Sequence, residues 1–91
     1  MRVSAQRIER IRAALQTVLT PTHLEIIDDS HHHAGHAGAQ DGKGHFRVSI
    51  VAESFAGKAP LRRHRMVYAA VDKLMVTDIH ALSIDARAPG E

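Results

Sequence analysis

The stretch HFRVSIVA, residues 45–52, determines the fold of this chain of 91 residues. Apolar side chains occupy every second position, at Phe46, Val48, Ile50 and Ala52, which predicts a β-strand with one buried face. Because the alternation is unbroken, we expect this segment to be the central strand of a sheet. The chain is long enough to build one small core around that strand, but not two.

Upstream of residues 45–52 the sequence predicts one helix and one strand. A stripe of apolar residues at spacings of three and four indicates a helix from about Ser4, a suitable N-cap, to Leu19. Pro21 ends it, since a residue before proline resists the α conformation. Residues 23–28, HLEIID, have the composition of a strand, which we expect to pair antiparallel with the central one.

Downstream, residues 54–58 predict a turn with a buried aromatic, Phe55, and Pro60 suits the first turn of a second helix. We expect this helix to bury a stripe formed by Leu61, His64, Tyr68, Val71 and Met75, with Val67 and Leu74 beside it. Residues 80–86, HALSIDA, predict a third strand. The chain is then one domain, 1–91, with frayed tails at 1–3 and 87–91.

The order α-β-β-α-β predicts an α/β (α+β) domain with a three-stranded mixed sheet and both helices packed on one face. A crossover from one strand through a helix to the next is right-handed in nearly all proteins, and it makes the two strands parallel. Parallel strands begin at the same end of a sheet. We therefore expect His80 to lie near His45 and the loop before it, with the start of the second helix at the opposite end.

The loop of residues 29–44 is unusually long for a small domain. Residues 28–46 hold five of the eight histidines and four of the six glycines, and neutral imidazole is a common metal ligand. The residues alone leave two interpretations open: a metal site, or a solvated loop whose histidines bind nothing. They also leave His80 open to a structural role, as a hydrogen-bond partner of a neighbour such as Asp78.

Composition narrows the classes of function. The chain has no cysteine, hence no disulfide and no thiolate for a metal, which suits a cytoplasmic protein. No apolar run approaches the roughly 20 residues that span a bilayer, so we expect no membrane segment. The sequence offers no cysteine nucleophile and no convincing serine, histidine and carboxylate set, so we expect a protein that is not an enzyme.

Positive charge is concentrated around the start of the predicted second helix. The net charge is only +2, yet residues 58–73 sum to +4. Cations in a first helical turn oppose the helix dipole. The residues concerned, called the basic group below, are Lys58, Arg62, Arg63 and Arg65. Two interpretations are open: a surface that binds DNA phosphate or an acidic patch on a partner, or a solvated face.

Five blocks of this sequence together resemble the BolA family. They are Asp29-Ser30-His31-x-His33-Ala34-Gly35-His36, Gly44-His45-Phe46-Arg47-Val48, Phe55-x-Gly57-Lys58, Arg63-His64-Arg65-x-Val67-Tyr68 and Ile79-His80-Ala81-Leu82-Ser83. The match runs from about Ile26 to Ala86. The resemblance implies a class II KH-like domain, in agreement with the order above. It also implies partnership with a monothiol (CGFS-type) glutaredoxin around a [2Fe–2S] cluster shared with that protein and glutathione, in iron–sulfur homeostasis.

Carried over residue by residue, the resemblance makes His80 the family's nearly invariant cluster ligand. The second ligand comes from the loop between the first two strands, as cysteine or histidine, and this chain has only histidine to offer. His36 is the preferred candidate; the alternatives are His33, His45, His32 and His31. The isolated protein is expected to be a monomer.

Two alternatives to cluster binding follow. Some members of the family are described as transcription regulators, which implies a DNA-binding role for the basic group. A weaker alternative is a simple zinc site built from the loop histidines, which would be colourless and tetrahedral in the isolated protein.

Overall fold

The computed structural model of this chain describes residues 2–30 and 42–91. Its elements are α1 (Arg2–Leu19), β1 (His23–Asp28), β2 (Gly44–Val51), a 3₁₀ turn (Glu53–Phe55), α2 (Pro60–Ala70), α3 (Asp72–Thr77) and β3 (Ile79–Arg87). The predicted order is confirmed, with the second helix divided in two at Val71. Within the described ranges, no helix is long and apolar enough to cross a membrane.

The sheet has the predicted topology. Its strand order is β1-β2-β3, with β2 central, antiparallel to β1 and parallel to β3. In the middle of the sheet Val48 lies between Ile26 of β1 and Ile84 of β3. The crossover through α2 and α3 therefore brings the starts of β2 and β3 to the same end.

All the helices contribute to one hydrophobic core on one face of the sheet. The inward residues of β2, at positions 46, 48 and 50, are buried, as is Phe55 in the turn that follows. The first helix covers them with Ile11 and Leu15, and the crossover adds Val67. The alternation of β2 and the buried aromatic of the turn are both confirmed.

The buried stripe of α2 differs from the predicted one. Val71, a member of the predicted stripe, is fully buried as expected, but Leu61 is 62% exposed and Tyr68 is 38% exposed. Val67, expected beside the stripe, is fully buried, so the buried face of the helix is displaced from Leu61 and Tyr68 towards Val67. The Tyr68 hydroxyl instead donates a 3.0 Å hydrogen bond to the carbonyl of Leu82, within β3.

The first helix begins earlier than predicted. It starts at Arg2, so Ser4 lies inside the helix and is not its N-cap, and residues 2–3 are helical rather than a tail. No glycine or proline precedes Ser4 to delay the helix. Its end is confirmed at Leu19, after which Thr20 adopts the left-handed conformation with φ of 43°.

Residues 87–91, for which we expected fraying, make specific contacts. Arg87 is the last residue of β3, and Ala88 is buried. The carboxylate of Glu91 accepts hydrogen bonds from both terminal nitrogens of Arg63. Arg63 also donates to the carbonyls of Lys58 and Ala86. One arginine therefore joins the start of α2, the end of β3 and the segment after it.

Candidate metal centre at the start of the parallel strands

His45 and His80 lie side by side where β2 and β3 begin. Their ring centroids are 4.9 Å apart and the ring planes are inclined at 43°. His45 is half-buried, whereas His80 is exposed. The predicted proximity of His80 to His45 is confirmed.

A β-bulge sets the direction of His80. Gly44 is paired with Ile79 and the next residue, His45, with Ala81, so His80 is the extra residue of β3. Ile79 and Leu82 are buried, while His80 and Ala81 between them are both exposed. If the same residues were paired regularly back from Leu82, His80 would point into the core.

The start of the histidine-rich loop is fixed against β2. The backbone N–H of Asp29 donates a 2.7 Å hydrogen bond to the carbonyl of His45. The Ser30 hydroxyl accepts a 3.0 Å hydrogen bond from the backbone N–H of His45. The backbone N–H of Ser30 donates in turn to the Asp28 carboxylate at 2.7 Å. The backbone of His45 is therefore bound on both sides by the residues that lead into the loop.

The end of the same loop is fixed against the turn before β3. The Gly44 N–H donates to the carbonyl of Asp78 at 2.9 Å. The Lys43 ammonium donates to the carbonyl of Met75 at 3.2 Å. Arg7 of α1 completes the junction, since it bonds the carbonyl of Gly42 at 2.7 Å and the carboxylate of Asp78 at 3.2 Å. We call these contacts the loop junction.

Asp78 is the centre of the loop junction and a buried charge. Its side chain accepts hydrogen bonds from Arg7, from Arg10 at 2.8 Å and from the Thr77 hydroxyl at 2.8 Å. Burial by itself would raise the pKa of Asp78, but the bonds from Thr77, Arg7 and Arg10 outweigh it and lower that pKa below its usual value. The carboxylate is thus held ionised by the two arginines.

The described residues supply two imidazoles for a metal and no complete set of ligands. In residues 2–30 and 42–91 there is no cluster of three or more histidine, aspartate or glutamate side chains that could hold an ion. His31, His32, His33 and His36 lie outside the described residues, so the preference for His36 stays a prediction. In a Rieske-type [2Fe–2S] centre two imidazoles are the protein ligands of one of the two irons, so the chemistry of the pair fits such a cluster.

The basic group is divided by the structure. Arg63 is engaged with Glu91 and two backbone carbonyls, and the hydrogen bond that it donates to Glu91 raises the pKa of its guanidinium. In return Arg63 lowers the pKa of Glu91 to about 2. Arg62 and Arg65 are exposed and Lys58 is half-buried. Of the four, Arg63 therefore has a structural role that the sequence did not indicate.

The pairing of Arg7 with Asp78 is the part of the site that sequence reasoning missed, since Asp78 was considered only as a hydrogen-bond partner of His80. The arginines of the first helix fall outside its apolar stripe, a position typical of a solvated face. Yet the Arg7 side chain is only 17% exposed, because Asp78, 71 residues away, folds against it. No local pattern marks such a pair; the one hint in the sequence is an acidic residue just ahead of a predicted strand.

Comparison with known proteins gives a consistent result. A family model described as BolA-like protein matches residues 15–91. The chain is 43% identical over 88 residues to Protein BOLA1, chloroplastic, of Arabidopsis thaliana, covering 93% of this chain and 55% of the relative. It is 37% identical over 76 residues to the DNA-binding transcriptional regulator BolA of Escherichia coli (strain K12), covering 84% of this chain and 70% of the relative.

The fold has the same relatives. The solved structure of BolA1 from Arabidopsis thaliana matches with a TM-score of 0.79 and 39% identity, covering 93% of this chain and 94% of that one. The chain spans between 24% and 58% of the full length of six of the curated relatives it matches.

Proposed function

This chain belongs to the BolA-like family, and on that premise we propose that it is a non-enzymatic partner of a monothiol glutaredoxin. In this proposal His80 and a second histidine bind a [2Fe–2S] cluster that the glutaredoxin and glutathione also hold. The role would lie in iron–sulfur homeostasis. The observation that carries the proposal is the contact between the imidazoles of His45 and His80, 4.9 Å apart at one end of the sheet.

The arrangement of the pair suits a cluster shared between two proteins. His80 is exposed, so a partner can approach it, and the half-buried His45 is fixed through its backbone by Ser30 and Asp29. Two histidines of this chain would provide half of the four ligands of a cluster, and thiolates from the glutaredoxin and glutathione would provide the rest. Imidazole ligands on one iron raise the reduction potential of a [2Fe–2S] cluster relative to thiolates.

The second ligand has two leading candidates. The family motif favours His36, while the geometry of the described residues favours His45, with His33, His32 and His31 as further choices. Each must be neutral to bind iron, because a protonated imidazole has no free electron pair. Binding should therefore weaken in acid.

The test is the visible spectrum of the cluster. Mixing the protein with a monothiol glutaredoxin, glutathione, iron and sulfide should give a heterodimer with a spectrum unlike that of the glutaredoxin homodimer. His80→Ala should return the spectrum towards the homodimer's. His36→Ala and His45→Ala, singly and together, identify the second ligand. His23→Ala is the matched control, since His23 is a histidine at the opposite end of the same sheet, paired with Val51.

Two results would contradict cluster binding by this chain. One is a heterodimer spectrum that survives the combined loss of His80 and of all the other candidates, His31, His32, His33, His36 and His45. The other is a colourless protein that binds zinc tetrahedrally by itself and gives no colour with glutaredoxin, which would favour the zinc alternative.

DNA binding is a second candidate function. Its support is the similarity to the DNA-binding transcriptional regulator BolA of Escherichia coli together with the exposure of Arg62 and Arg65 on α2. Reversing the charge of both should weaken DNA binding, and the loss should shrink as salt rises. Arg63 is unsuitable for this test because its reversal would also break its bonds to Glu91. Unchanged DNA affinity in the double variant would leave these arginines as a solvated face.

A further inference from the structure

We propose that Arg7 is a positioning residue for the histidine pair: its guanidinium holds the end of the histidine-rich loop against the start of β3, which fixes the separation of His45 and His80. The proposal rests on the proposed function in taking this pair as part of the metal centre. The effect of Arg7 on the separation of the two histidines, however, can be tested in the protein without metal.

The contacts of Arg7 bridge two segments that each lead into one of the histidines. One terminal nitrogen donates to the carbonyl of Gly42, three residues before His45, and Nε donates to the carboxylate of Asp78, two residues before His80. A guanidinium can make both bonds at once because its N–H groups point in fixed, different directions. The Arg7 side chain comes from α1, outside both strands, and it holds the two segments together from there.

A contact from outside the sheet matters here because the hydrogen-bond ladder between β2 and β3 is interrupted. The register between β2 and β3 shifts between Gly44 and His45, so regular pairing does not extend through the pair. Upstream of the shift, the Gly44 N–H donates a hydrogen bond to the carbonyl of Asp78 and so links the two segments. Arg7 adds a second link beside it, from the carbonyl of Gly42, two residues before Gly44, to the side chain of Asp78.

Arg10 provides a matched control within the same helix. It bonds the same oxygen of Asp78 at 2.8 Å, but its side chain is 55% exposed. Among the described residues it makes no hydrogen bond to Gly42, whose carbonyl is bonded by Arg7. Arg10→Ala thus removes a positive charge and a bond to Asp78 and leaves the bridge to the loop intact.

The test uses NMR on the full chain without metal or partner. In the wild type, ring protons of His45 and His80 should show a mutual nuclear Overhauser effect, and the Gly44 amide should be protected from hydrogen exchange. Arg7→Ala should abolish the ring contact and speed exchange of the Gly44 amide roughly tenfold or more, because the hydrogen bonds of Arg7 to Gly42 and to the charged Asp78 are lost. Arg10→Ala should keep the contact and change the exchange rate less than about twofold.

Arg7→Lys separates positioning from folding. Lysine keeps the charge beside Asp78, so this variant should fold, but an ammonium on a flexible stem does not reproduce the two-directional bridge. It should therefore lose the ring contact as Arg7→Ala does, while its circular dichroism stays that of the wild type. If either Arg7 variant retains both the ring contact and Gly44 protection, the proposal is wrong and Arg7 only neutralises Asp78.

The cluster experiment then distinguishes this inference from the proposed function. If His45→Ala identifies His45 as the second ligand, Arg7→Lys should shift the heterodimer spectrum towards the homodimer's while Arg10→Ala leaves it unchanged; an unshifted Arg7→Lys spectrum would then overturn the positioning role. If His36 is the second ligand instead, the NMR comparison decides. If the wild type forms no such spectrum, the proposed function fails, and the NMR comparison still decides whether Arg7 positions the pair.

Discussion

Gly44→Ala should destabilise the fold through a steric clash at the start of β2. A Cβ added at Gly44 would lie 2.8 and 2.9 Å from Cε2 and Cζ of Phe46 and 2.9 Å from the Ser30 hydroxyl. Carbon atoms in good contact are about 3.5–4.0 Å apart, so ring or backbone must move by roughly 0.6 Å. The Phe46 ring cannot swing away freely because it is buried in the core.

The expected loss is about 1–3 kcal/mol, the usual range for an extra methyl group in a packed core. In a domain of this length it corresponds to a fall in Tm of roughly 5–20 °C. Urea unfolding followed by circular dichroism measures it. Displacement of the Ser30 hydroxyl should also loosen its bond from the N–H of His45, visible as faster exchange of that amide.

A double-mutant cycle tests the stated cause. Phe46→Leu shortens the side chain that the new methyl meets, so Gly44→Ala should cost about 1 kcal/mol less in that background. The control is Gly57→Ala, where φ is 75° and no atom lies within 4 Å of the added Cβ. It should cost about 1 kcal/mol from backbone strain alone, the same with or without Phe46→Leu. A Gly44→Ala variant within about 0.5 kcal/mol of the wild type, or strict additivity with Phe46→Leu, would refute the clash.

Three further predictions follow from the charged pairs and the core. Asp78→Asn should lower the free energy of unfolding by about 2–4 kcal/mol, because it leaves the largely buried guanidinium of Arg7 without its counter-ion. Arg10→Ala, at an exposed side chain, should cost less than about 1 kcal/mol. Equal costs for the two variants in urea unfolding would contradict this prediction. Glu91→Gln should lower Tm at neutral pH, because Arg63 lowers the pKa of Glu91 from 4.5 to about 2. The stabilisation by the ionised Glu91 is complete above pH 4.5 and is lost as the pH falls through 2. A difference in Tm between wild type and variant that does not shrink over this interval would refute the assignment. Val67→Ala should cost about 2 kcal/mol in thermal or urea unfolding, since the side chain is fully buried, and a cost below about 0.5 kcal/mol would mean that α2 buries a different face.

The parts of this fold that were predictable from sequence are those set by local periodicity and chain connectivity. The alternation of β2 identified the central strand, and one crossover rule then placed β3 parallel to it and His80 beside His45. Neither step needs the identity of a distant partner.

The parts that were not predictable depend on pairs far apart in the chain. Arg7 meets Asp78, and Arg63 meets Glu91, because tertiary packing brings them together, and several arginines in the sequence could have taken either place. The phase of α2 was missed for a related reason. Leu61 and Val67 are both apolar, and only the position of the sheet decides which of them is buried.

The extra residue in β3 means that part of this site is specified by chain length. The bulge supplies enough chain for Ile79 to fill the core and Asp78 to reach Arg7 while Leu82 keeps its place opposite Phe46. Deleting Ala81 would leave every remaining side chain chemically unaltered, yet would shorten the path from Asp78 to Leu82 by about 3.3 Å. His80 would then have to occupy the position opposite His45, and the carboxylate would be drawn away from its arginine. A scan by substitution would miss this dependence, because the information lies in a count of residues; a scan by single deletions would find it.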